Sequence, residues 1–212
     1  RLADSRRVEF TAKLVKVAGR PADIGSEKEA EGIVGRLSGA PFSVMDVTKK
    51  NVKGNPAPPF ITSTLQQDAA RRLGFTVART MKVAQGLYEG VELAEGSVGL
   101  ITYMRTDSTR IAPEAIEEAR SYIAGRWGSS ELPAKPNIYK TKKGAQDAHE
   151  AIRPASAPLA PSDVKPFLNT DQLKLYTLIW NRFIASQMKP SESTVTTVDV
   201  VADDCEFRTS ST

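Results

Sequence analysis

The sequence contains only one cysteine and one histidine among its 212 residues. Cys205 alone can form no internal disulfide, and the two residues together fall short of the four Cys or His ligands that a structural zinc site usually takes. We therefore expect no disulfide framework and no zinc site made by this chain alone. A metal ion would have to bind carboxylates or be supplied by another segment.

Long apolar runs are also missing. No stretch approaches the roughly 20 apolar residues of a membrane-spanning helix, and the first residues, RLADSRRVEF, lack the apolar core of a signal peptide. The 40% hydrophobic and 25% charged residues are typical of a globular protein. We expect a soluble, cytoplasmic chain. Because it starts at Arg1 without Met and stops in a strand-like run, EFRTSST, we expect it to be a piece of a longer polypeptide.

The net charge of +4 is too small to indicate a nucleic-acid partner, but the basic residues are clustered. Two clusters lie in the middle of the chain: Arg71, Arg72, Arg79 and Lys82, then Lys135, Lys140, Lys142 and Lys143. Either cluster alone is more simply explained as a solvated helix face or loop. Together they suggest contacts with phosphate.

Strand-like patterns occur near both ends of the chain. Residues 6–17 alternate with period 2, residues 41–50 resume strand character, and residues 193–208 alternate again. Between the first two, Ser26 and Glu29 make a capping box before a short amphipathic helix. Its predicted apolar stripe is Ala30, Ile33, Val34 and Leu37.

The middle of the chain has helical spacing. The pattern predicts two short helices, residues 62–73 ended by Gly74 and a second over 75–90 with Val77, Met81, Ala84 and Tyr88 on one face. This pair is weak evidence for a helix-turn-helix. Two more helices are predicted, over Pro113–Ile123 and Asp171–Met188; Leu173, Tyr176, Trp180, Phe183 and Ile184 are expected on the buried side of the latter.

These patterns predict an α+β fold. A β-rich domain would be assembled from both chain ends, and a mainly helical domain would be inserted between them. The stiff segment Asn55–Pro59, rich in proline, is a natural junction between the two domains.

The segment Tyr103-Met-Arg-Thr-Asp-Ser108 holds the best candidates for chemistry. If the segment is extended, Arg105 lies on the same side as Tyr103, which places a phenol beside a fixed positive charge. This suits attack on phosphorus, since a guanidinium stabilises the charge that develops on phosphate oxygens. Asp107 could orient either group or pass a proton. The simpler alternative is a packing tyrosine followed by a surface ion pair and a turn.

The second candidate segment, Asp147-Ala-His149-Glu150-Ala-Ile-Arg153-Pro154, holds the single histidine. One turn of helix would aim His149 and Arg153 the same way. A protonated imidazole could donate to a phosphate, although a lone histidine is more often structural.

Several long motifs, in order, resemble bacterial type IA DNA topoisomerases. GLITYMRTDSTRI resembles their active-site segment, KTKKGAQDAHEAIRP their His-containing segment, and ITSTLQQDAARRLGF with MKVAQGLYEG their helical stretch. LYTLIWNRFIASQM followed by TTVDV also resembles that family. The resemblance covers almost the whole chain.

The resemblance implies a function for these residues. Tyr103 would be the nucleophile that forms a 5′-phosphotyrosyl link, Arg105 would stabilise the transition state, and His149 would contact the scissile phosphate, with Asp107 and Arg153 as supporting residues. Its partner would be a single-stranded segment of negatively supercoiled DNA, in the bacterial nucleoid. DNA contacts are expected from the basic clusters: Arg71, Arg72, Lys140, Lys142 and Lys143.

The resemblance also implies what the chain would need from elsewhere. Domain II-like residues 1–61 plus 190–212 would form the arch of the family's toroid, and domain III-like residues 62–189 would carry the tyrosine. Nothing in the chain resembles the Toprim domain, whose carboxylates would bind Mg²⁺, the gate domain IV or the C-terminal DNA-binding region. We therefore expect a monomeric enzyme in full length, and an inactive fragment without these parts.

Other functions fit some of the same features. A non-catalytic single-stranded nucleic-acid-binding module would use residues 63–89, and a structural interaction fragment would use none of the candidate site. A tyrosine recombinase needs more Arg, His and Lys partners than this pattern offers. Topoisomerase III and reverse gyrase belong to the same superfamily and remain alternatives within it.

Overall fold

A computed structural model describes residues 2–3, 9–94, 96–139 and 149–212. In chain order the strands and helices are β1 Leu2–Ala3, β2 Glu9–Phe10, β3 Lys13–Val17, β4 Arg20–Pro21, α1 Glu27–Leu37, β5 Ser43–Gly54, α2 Thr62–Leu73, α3 Val77–Glu89, β6 Val91–Leu93, β7 Gly96–Val98, α4 Pro113–Trp127, α5 Pro161–Val164, α6 Thr170–Ser186, β8 Ser191–Ala202 and β9 Cys205–Ser211. Among the helices so described, none is long and apolar enough to cross a membrane.

The chain divides into two compact units. One comprises Arg1–Gly54 with Ser191–Thr212, and the other comprises Asn55–Pro190. The proline-rich residues 55–61, assigned above to the β-rich domain, belong to the helical unit. Within that unit the Tyr139 hydroxyl donates to the Pro56 carbonyl at 3.2 Å, and Arg182 donates to the Pro58 carbonyl at 3.4 Å.

The first unit is built on a five-stranded antiparallel sheet in the order β4-β3-β9-β8-β5. Its longest pairing joins the edge strand β5 to β8, from Ser43↔Val201 to Gly54↔Ser191. Strands from the beginning and the end of the chain therefore share one sheet. The mixture of helices and antiparallel sheet makes the fold α+β.

The last strand-like run is a hairpin rather than one strand. β8 and β9 pair antiparallel through a turn at residues 203–204, where Asp203 adopts a left-handed φ of 52°. Short polar residues tolerate this conformation better than most. Alternation alone could not reveal the turn, because apolar spacing resumes on its far side.

Helix α1 begins as predicted, but fewer residues of its apolar stripe are buried than predicted. The Ser26 hydroxyl accepts from the Glu29 amide at 3.3 Å, as an N-cap should. Ile33 is buried, whereas Val34 is 69% exposed and so does not belong to the buried stripe. At the other end of the helix, Arg36 donates to the Asp204 carboxylate at 3.0 Å.

The helical unit begins with α2 and α3, joined by a tight turn. Gly74 ends α2 in the left-handed conformation, φ 68°, which glycine adopts without a Cβ penalty. The Thr76 hydroxyl caps α3 by accepting from Arg79 N at 3.2 Å. The face of α3 that carries Val77, Met81, Ala84 and Tyr88 is not its buried face, because Val77 and Tyr88 are 56% and 41% exposed. The buried residues of α3 are Thr80, Ala84 and Leu87.

The long helix α6 packs against α2, α3 and α5. Asn169 and Gln172 form a capping box at its start. Two of its buried side chains also fix the loop before α5, since Tyr176 donates to the Leu159 carbonyl at 2.6 Å and Trp180 to the Ala157 carbonyl at 2.9 Å. The sequence pattern found most of this face but included Leu173, which is half-buried. Its buried residues are Leu175, Tyr176, Ile179, Trp180, Phe183, Ile184 and Ser186.

Candidate active site

The tyrosine segment begins next to the C-terminal end of α3 in space. The hairpin of β6 and β7, which the sequence pattern did not predict, returns the chain to α3, where Leu100 N donates to the Leu87 carbonyl at 2.7 Å. A Cβ on Gly99 would lie only 2.7 Å from the Tyr88 carbonyl oxygen, so the close approach requires glycine. The segment therefore enters the site packed against the last turn of α3.

Burial alternates strictly along the segment. Met104, Thr106 and Ser108 are buried, whereas Tyr103, Arg105 and Asp107 are exposed. The backbone bends at Met104. The alternation therefore shows which side chains reach solvent, and not that all three lie on one side of a straight strand. The buried Met104, fully enclosed in the core, anchors the segment between the first two of them.

Thr62, the first residue of α2, binds the backbone of this segment. Its hydroxyl donates to the Met104 carbonyl at 2.8 Å, lies 3.0 Å from the Thr106 carbonyl, and accepts from Thr106 N at 2.9 Å. The Thr62 amide donates to the Thr106 carbonyl at 2.9 Å. The segment on both sides of Arg105 is thus tied to the start of a helix.

A second threonine ties the tyrosine segment to the histidine segment. The Thr102 hydroxyl donates to the Ala151 carbonyl at 2.7 Å and accepts from Arg153 N at 3.0 Å, while Thr102 N donates to the Arg153 carbonyl at 3.0 Å. Ala151 N in turn donates to the Arg110 carbonyl at 2.8 Å. The backbone next to Tyr103 and the backbone after His149 therefore form one hydrogen-bonded unit.

The expectation that a turn of helix carries His149 and Arg153 was wrong. Residues 149–155 are extended, with isolated bridges from Ile152 to Phe60 and from Pro154 to Ile101. The extended form is favoured because their backbone groups bind the neighbouring segments. Consequently the two side chains have different surroundings.

The side chain of Arg153 binds groups of its own loop. Its guanidinium donates twice to the Glu150 carboxylate, at 3.0 and 2.8 Å, and once to the Pro154 carbonyl at 2.9 Å. Its side chain is only 13% exposed. These contacts indicate that Arg153 holds the loop in shape.

His149 instead lies at an open pocket of about 530 Å³ with Arg105 and Asp107. Thr62 and Ser63, at the start of α2, also line it. Within the described residues neither Arg105 nor Asp107 forms an ion pair, and the exposed imidazole of His149 makes no hydrogen bond. The guanidinium and the imidazole are therefore free to bind an anionic ligand.

Tyr103 lies outside the lining of that pocket but close to it in sequence. Its side chain is 45% exposed, and its ring meets that of Tyr88 at a centroid distance of 5.4 Å. The structure thus brings Arg105, Asp107 and His149 to one pocket and places Tyr103 at the preceding exposed position of the same segment, before the bend at Met104.

The described residues contain no group of three or more His, Cys, Asp or Glu side chains that could hold a metal ion. The pocket itself offers one carboxylate, Asp107, and one imidazole. Its donor set suits an anion better than Mg²⁺, which prefers several oxygen ligands.

Comparison with known proteins identifies the family. A family model described as DNA topoisomerase matches residues 6–212. The chain belongs to the bacterial type IA DNA topoisomerase family. Two curated relatives, each named DNA topoisomerase 1 and from Xylella fastidiosa strains 9a5c and Temecula1, are 48% identical over 201 residues. These matches cover 91% of this chain and 25% of each relative, so the chain spans about a quarter of their length.

A solved topoisomerase structure has a similar fold. It is full-length topoisomerase I from Thermotoga maritima, with a TM-score of 0.72 and 39% sequence identity. The match covers 94% of this chain and 31% of that one. Both units of the chain thus fall within a region similar to a solved topoisomerase I.

In this topoisomerase family member, two residues of the first basic cluster, Arg71 and Arg72, contact the buried carboxylate of Asp68, whereas Arg79 pairs with Asp171. Arg71 donates to Asp68 at 2.8 Å, Arg72 lies 3.6 Å from it, and Arg182 of α6 donates to it at 2.5 Å. The side chains of Arg71 and Arg72 are 69% and 58% exposed, so both reach solvent while contacting Asp68. Lys140, Lys142 and Lys143 lie outside the described residues.

Sequence reasoning missed the two threonines that join the segments. Thr62 was predicted only as the first residue of a helix, and its side chain binds the tyrosine segment, whereas Ile61 occupies the N-cap. Its partners are more than 40 residues away in the chain, so no local pattern could reveal them. Thr102 adjoins Tyr103 in sequence, but its partners also lie far along the chain.

Proposed function

We propose that this chain is the tyrosine-bearing part of a topoisomerase that relaxes negatively supercoiled DNA by cleaving, passing and rejoining a single strand. The observation that supports the proposal is the exposure of Tyr103 and Arg105, two residues apart on one segment, with His149 at the pocket of Arg105. The sheet unit corresponds to domain II of the family's toroid, and the helical unit to domain III. The relatives' names favour topoisomerase I over topoisomerase III or reverse gyrase.

In the cleavage step the Tyr103 oxygen attacks a phosphorus of the DNA strand. The new bond joins that oxygen to phosphorus, and the bond from phosphorus to the 3′ oxygen breaks. The phenolic proton passes to solvent, and the departing 3′ oxygen takes up one proton from solvent to become a hydroxyl. The products are a 5′-phosphotyrosyl link and a free 3′ end, and religation reverses each step.

Arg105 stabilises the charge of the transition state. A guanidinium presents several donors in a fixed plane, which matches two phosphate oxygens at once. Because Arg105 has no carboxylate partner among the described residues, no existing ion pair has to be broken before it binds phosphate. His149, at the same pocket, donates a hydrogen bond to the phosphate when protonated. Asp107 supports the site by attracting the imidazolium.

Each step replaces one phosphodiester bond with another of similar energy, so the reaction needs no ATP. The driving force for relaxation is the strain of negative supercoiling. The single strand binds through phosphate contacts of Arg71, Arg72, Lys140, Lys142 and Lys143, whose strength falls with salt. Arg153 acts indirectly, by holding the loop that bears His149.

The full-length protein acts as a monomer that adds a Toprim domain, a gate domain and a C-terminal DNA-binding region. The family resemblance implies Mg²⁺, held by Toprim carboxylates. The described residues of this chain do not fit a metal centre, and none of the steps above uses one. Without those domains the chain alone is inactive in relaxation.

The test is formation of a covalent adduct between the full-length protein and a single-stranded oligonucleotide. Tyr103→Phe should abolish the adduct and retain DNA binding, because the ring remains and only the nucleophilic oxygen is lost. The matched control is Tyr88→Phe, which removes the neighbouring phenol and should still form the adduct. An adduct with Tyr103→Phe, or its loss only with Tyr88→Phe, would refute the proposal.

A further inference from the structure

The hydroxyl of Thr62 binds one backbone group on each side of Arg105. The Met104 carbonyl, 2.8 Å away, belongs to the peptide group before Arg105, and Thr106 N–H, 2.9 Å away, belongs to the peptide group after it. Fixing both peptide groups fixes the two soft dihedral angles of Arg105. One side-chain oxygen therefore sets the direction of the Cα–Cβ bond from which the Arg105 side chain extends.

Thr62 itself is held firmly enough to act as a reference point. It is the first residue of α2, and its own amide donates to the Thr106 carbonyl at 2.9 Å. Leu65 and Ala69 of the same helix are fully buried in the core. A shift of Thr62 would therefore require α2 to move against packed side chains, which is costly.

Thr62 also lines the pocket that holds Arg105 and His149. Its hydroxyl donates to a backbone carbonyl, and one of its two lone pairs accepts from Thr106 N. The hydroxyl of Thr62 is thus engaged by the backbone on both sides of Arg105.

We propose that Thr62 is a positioning residue, which holds the Arg105 guanidinium in register with the phosphate that Tyr103 attacks. The link to cleavage rests on the proposed function, whereas the hydrogen bonds at Arg105 do not. Valine has a similar shape but no hydroxyl, and serine retains the hydroxyl without the methyl group. These two substitutions separate the hydrogen bonds from the packing.

The experiment measures single-turnover cleavage by the full-length protein and its affinity for a single-stranded oligonucleotide. Thr62→Val should slow cleavage by about 10–100-fold, the size expected when a transition-state donor is displaced by a fraction of an ångström to about 1 Å. Its affinity for DNA should stay close to that of the wild type. Thr62→Ser should restore most of the rate. If Thr62→Val does not fold, Thr62→Ala removes the same hydroxyl and carries the same test.

Thr64→Val is the matched control. The Thr64 hydroxyl accepts from Ile61 N at 3.0 Å, so this variant loses a cap hydrogen bond at the same end of α2 without touching the tyrosine segment. It should lower the unfolding midpoint but keep the cleavage rate. An equal loss of rate in Thr64→Val would mean that helix stability, and not the position of Arg105, accounts for the effect.

A variant that combines Thr62→Val with Arg105→Ala tests whether Thr62 acts through Arg105. If Thr62 acts through Arg105, Thr62→Val should add little to the loss already caused by Arg105→Ala, because coupled residues are not additive. Full additivity, or wild-type cleavage by folded Thr62→Val, would overturn the proposal.

Amide exchange separates this inference from the proposed function. In Thr62→Val the Thr106 amide loses its acceptor and should exchange faster than in the wild type. If the wild type forms no adduct through Tyr103, the proposed function fails, but faster exchange at Thr106 would still support the structural part. Unchanged exchange at Thr106 would refute that part whatever the activity.

Discussion

The ring of Tyr88 meets the ring of Tyr103 edge-on, with centroids 5.4 Å apart and planes inclined at 64°. Tyr88 lies in the last turn of α3, where its carbonyl oxygen leaves no room for a side chain on Gly99. The aromatic contact and the backbone approach together hold the tyrosine segment against this helix. Tyr88 therefore restricts the orientation of the proposed nucleophile.

We predict that Tyr88→Ala slows cleavage and that Tyr88→Phe does not. An edge-to-face aromatic pair is worth about 0.5–1.5 kcal/mol, which corresponds to a rate loss of about 2–10-fold if the contact orients the attacking ring. Single-turnover cleavage by the full-length variants measures this rate loss. A Tyr88→Ala protein that cleaves at the wild-type rate would show that Tyr103 needs no aromatic neighbour.

We predict that Arg105→Ala slows cleavage by about 10²–10³-fold, as expected when one preorganised donor to a developing oxyanion is lost. His149→Ala should also slow it. The matched control is Arg110→Ala on the same segment, since Arg110 contributes backbone hydrogen bonds and its side chain does not line the pocket of Arg105. Comparable rates for Arg105→Ala and the wild type would make Arg105 an ordinary surface residue.

We expect the carboxylate of Asp68 to contribute to the stability of the helical unit in a pH-dependent way. Burial acts to raise the pKa of its carboxyl, but the charge and hydrogen bond of Arg182, together with Arg71, outweigh burial and lower the pKa below the usual 3.8. A lowered pKa stabilises the fold at pH values above 3.8, and this contribution is lost as the pH falls through the lowered value.

We therefore predict that Asp68→Asn destabilises the helical unit at pH 7 by about 1–3 kcal/mol, because the guanidinium of Arg182 loses its buried counter-charge. Chemical unfolding of the chain at several pH values measures this. The difference between wild type and variant should shrink as the pH falls below the usual carboxyl pKa. A difference that stays constant down to pH 2 would contradict the assignment.

We predict that the isolated chain binds single-stranded DNA weakly and does not relax supercoiled DNA, even with added Mg²⁺. For single strands, log affinity should fall with log salt by about 0.7 for each phosphate contact, so Arg71→Ala and Arg72→Ala should each reduce the slope by up to about 0.7. Lys53→Ala, on β5 and paired with Glu192, is the control. Relaxation by these 212 residues alone would contradict the account.

The sequence predicted the elements that depend on local chemistry. The start of α1 follows from Ser26, and the end of α2 follows from Gly74. In each case the signal and the structure lie within a few residues. Local hydrogen bonds and backbone sterics decide such features, so the pattern suffices.

Features that depend on distant partners could not be predicted. The segment of His149 and Arg153 has helical spacing but is extended, because Thr102 and Phe60 take its backbone hydrogen bonds. Thr62 has the composition of a helix start, yet its partners lie at residues 104 and 106. Tertiary contacts override local propensity at both places, and both adjoin the proposed site.

The most direct measurement is to map the covalent link between the full-length protein and a cleaved oligonucleotide. The strand is labelled at its 3′ end in one sample and at its 5′ end in another, and the protein-bound DNA is digested and analysed by mass spectrometry. Our account predicts that the 3′-labelled fragment remains bound through its 5′ phosphate to the peptide containing Tyr103, while the 5′-labelled fragment leaves with a free 3′ hydroxyl. A link to any other residue, or to a 3′ phosphate, would contradict it.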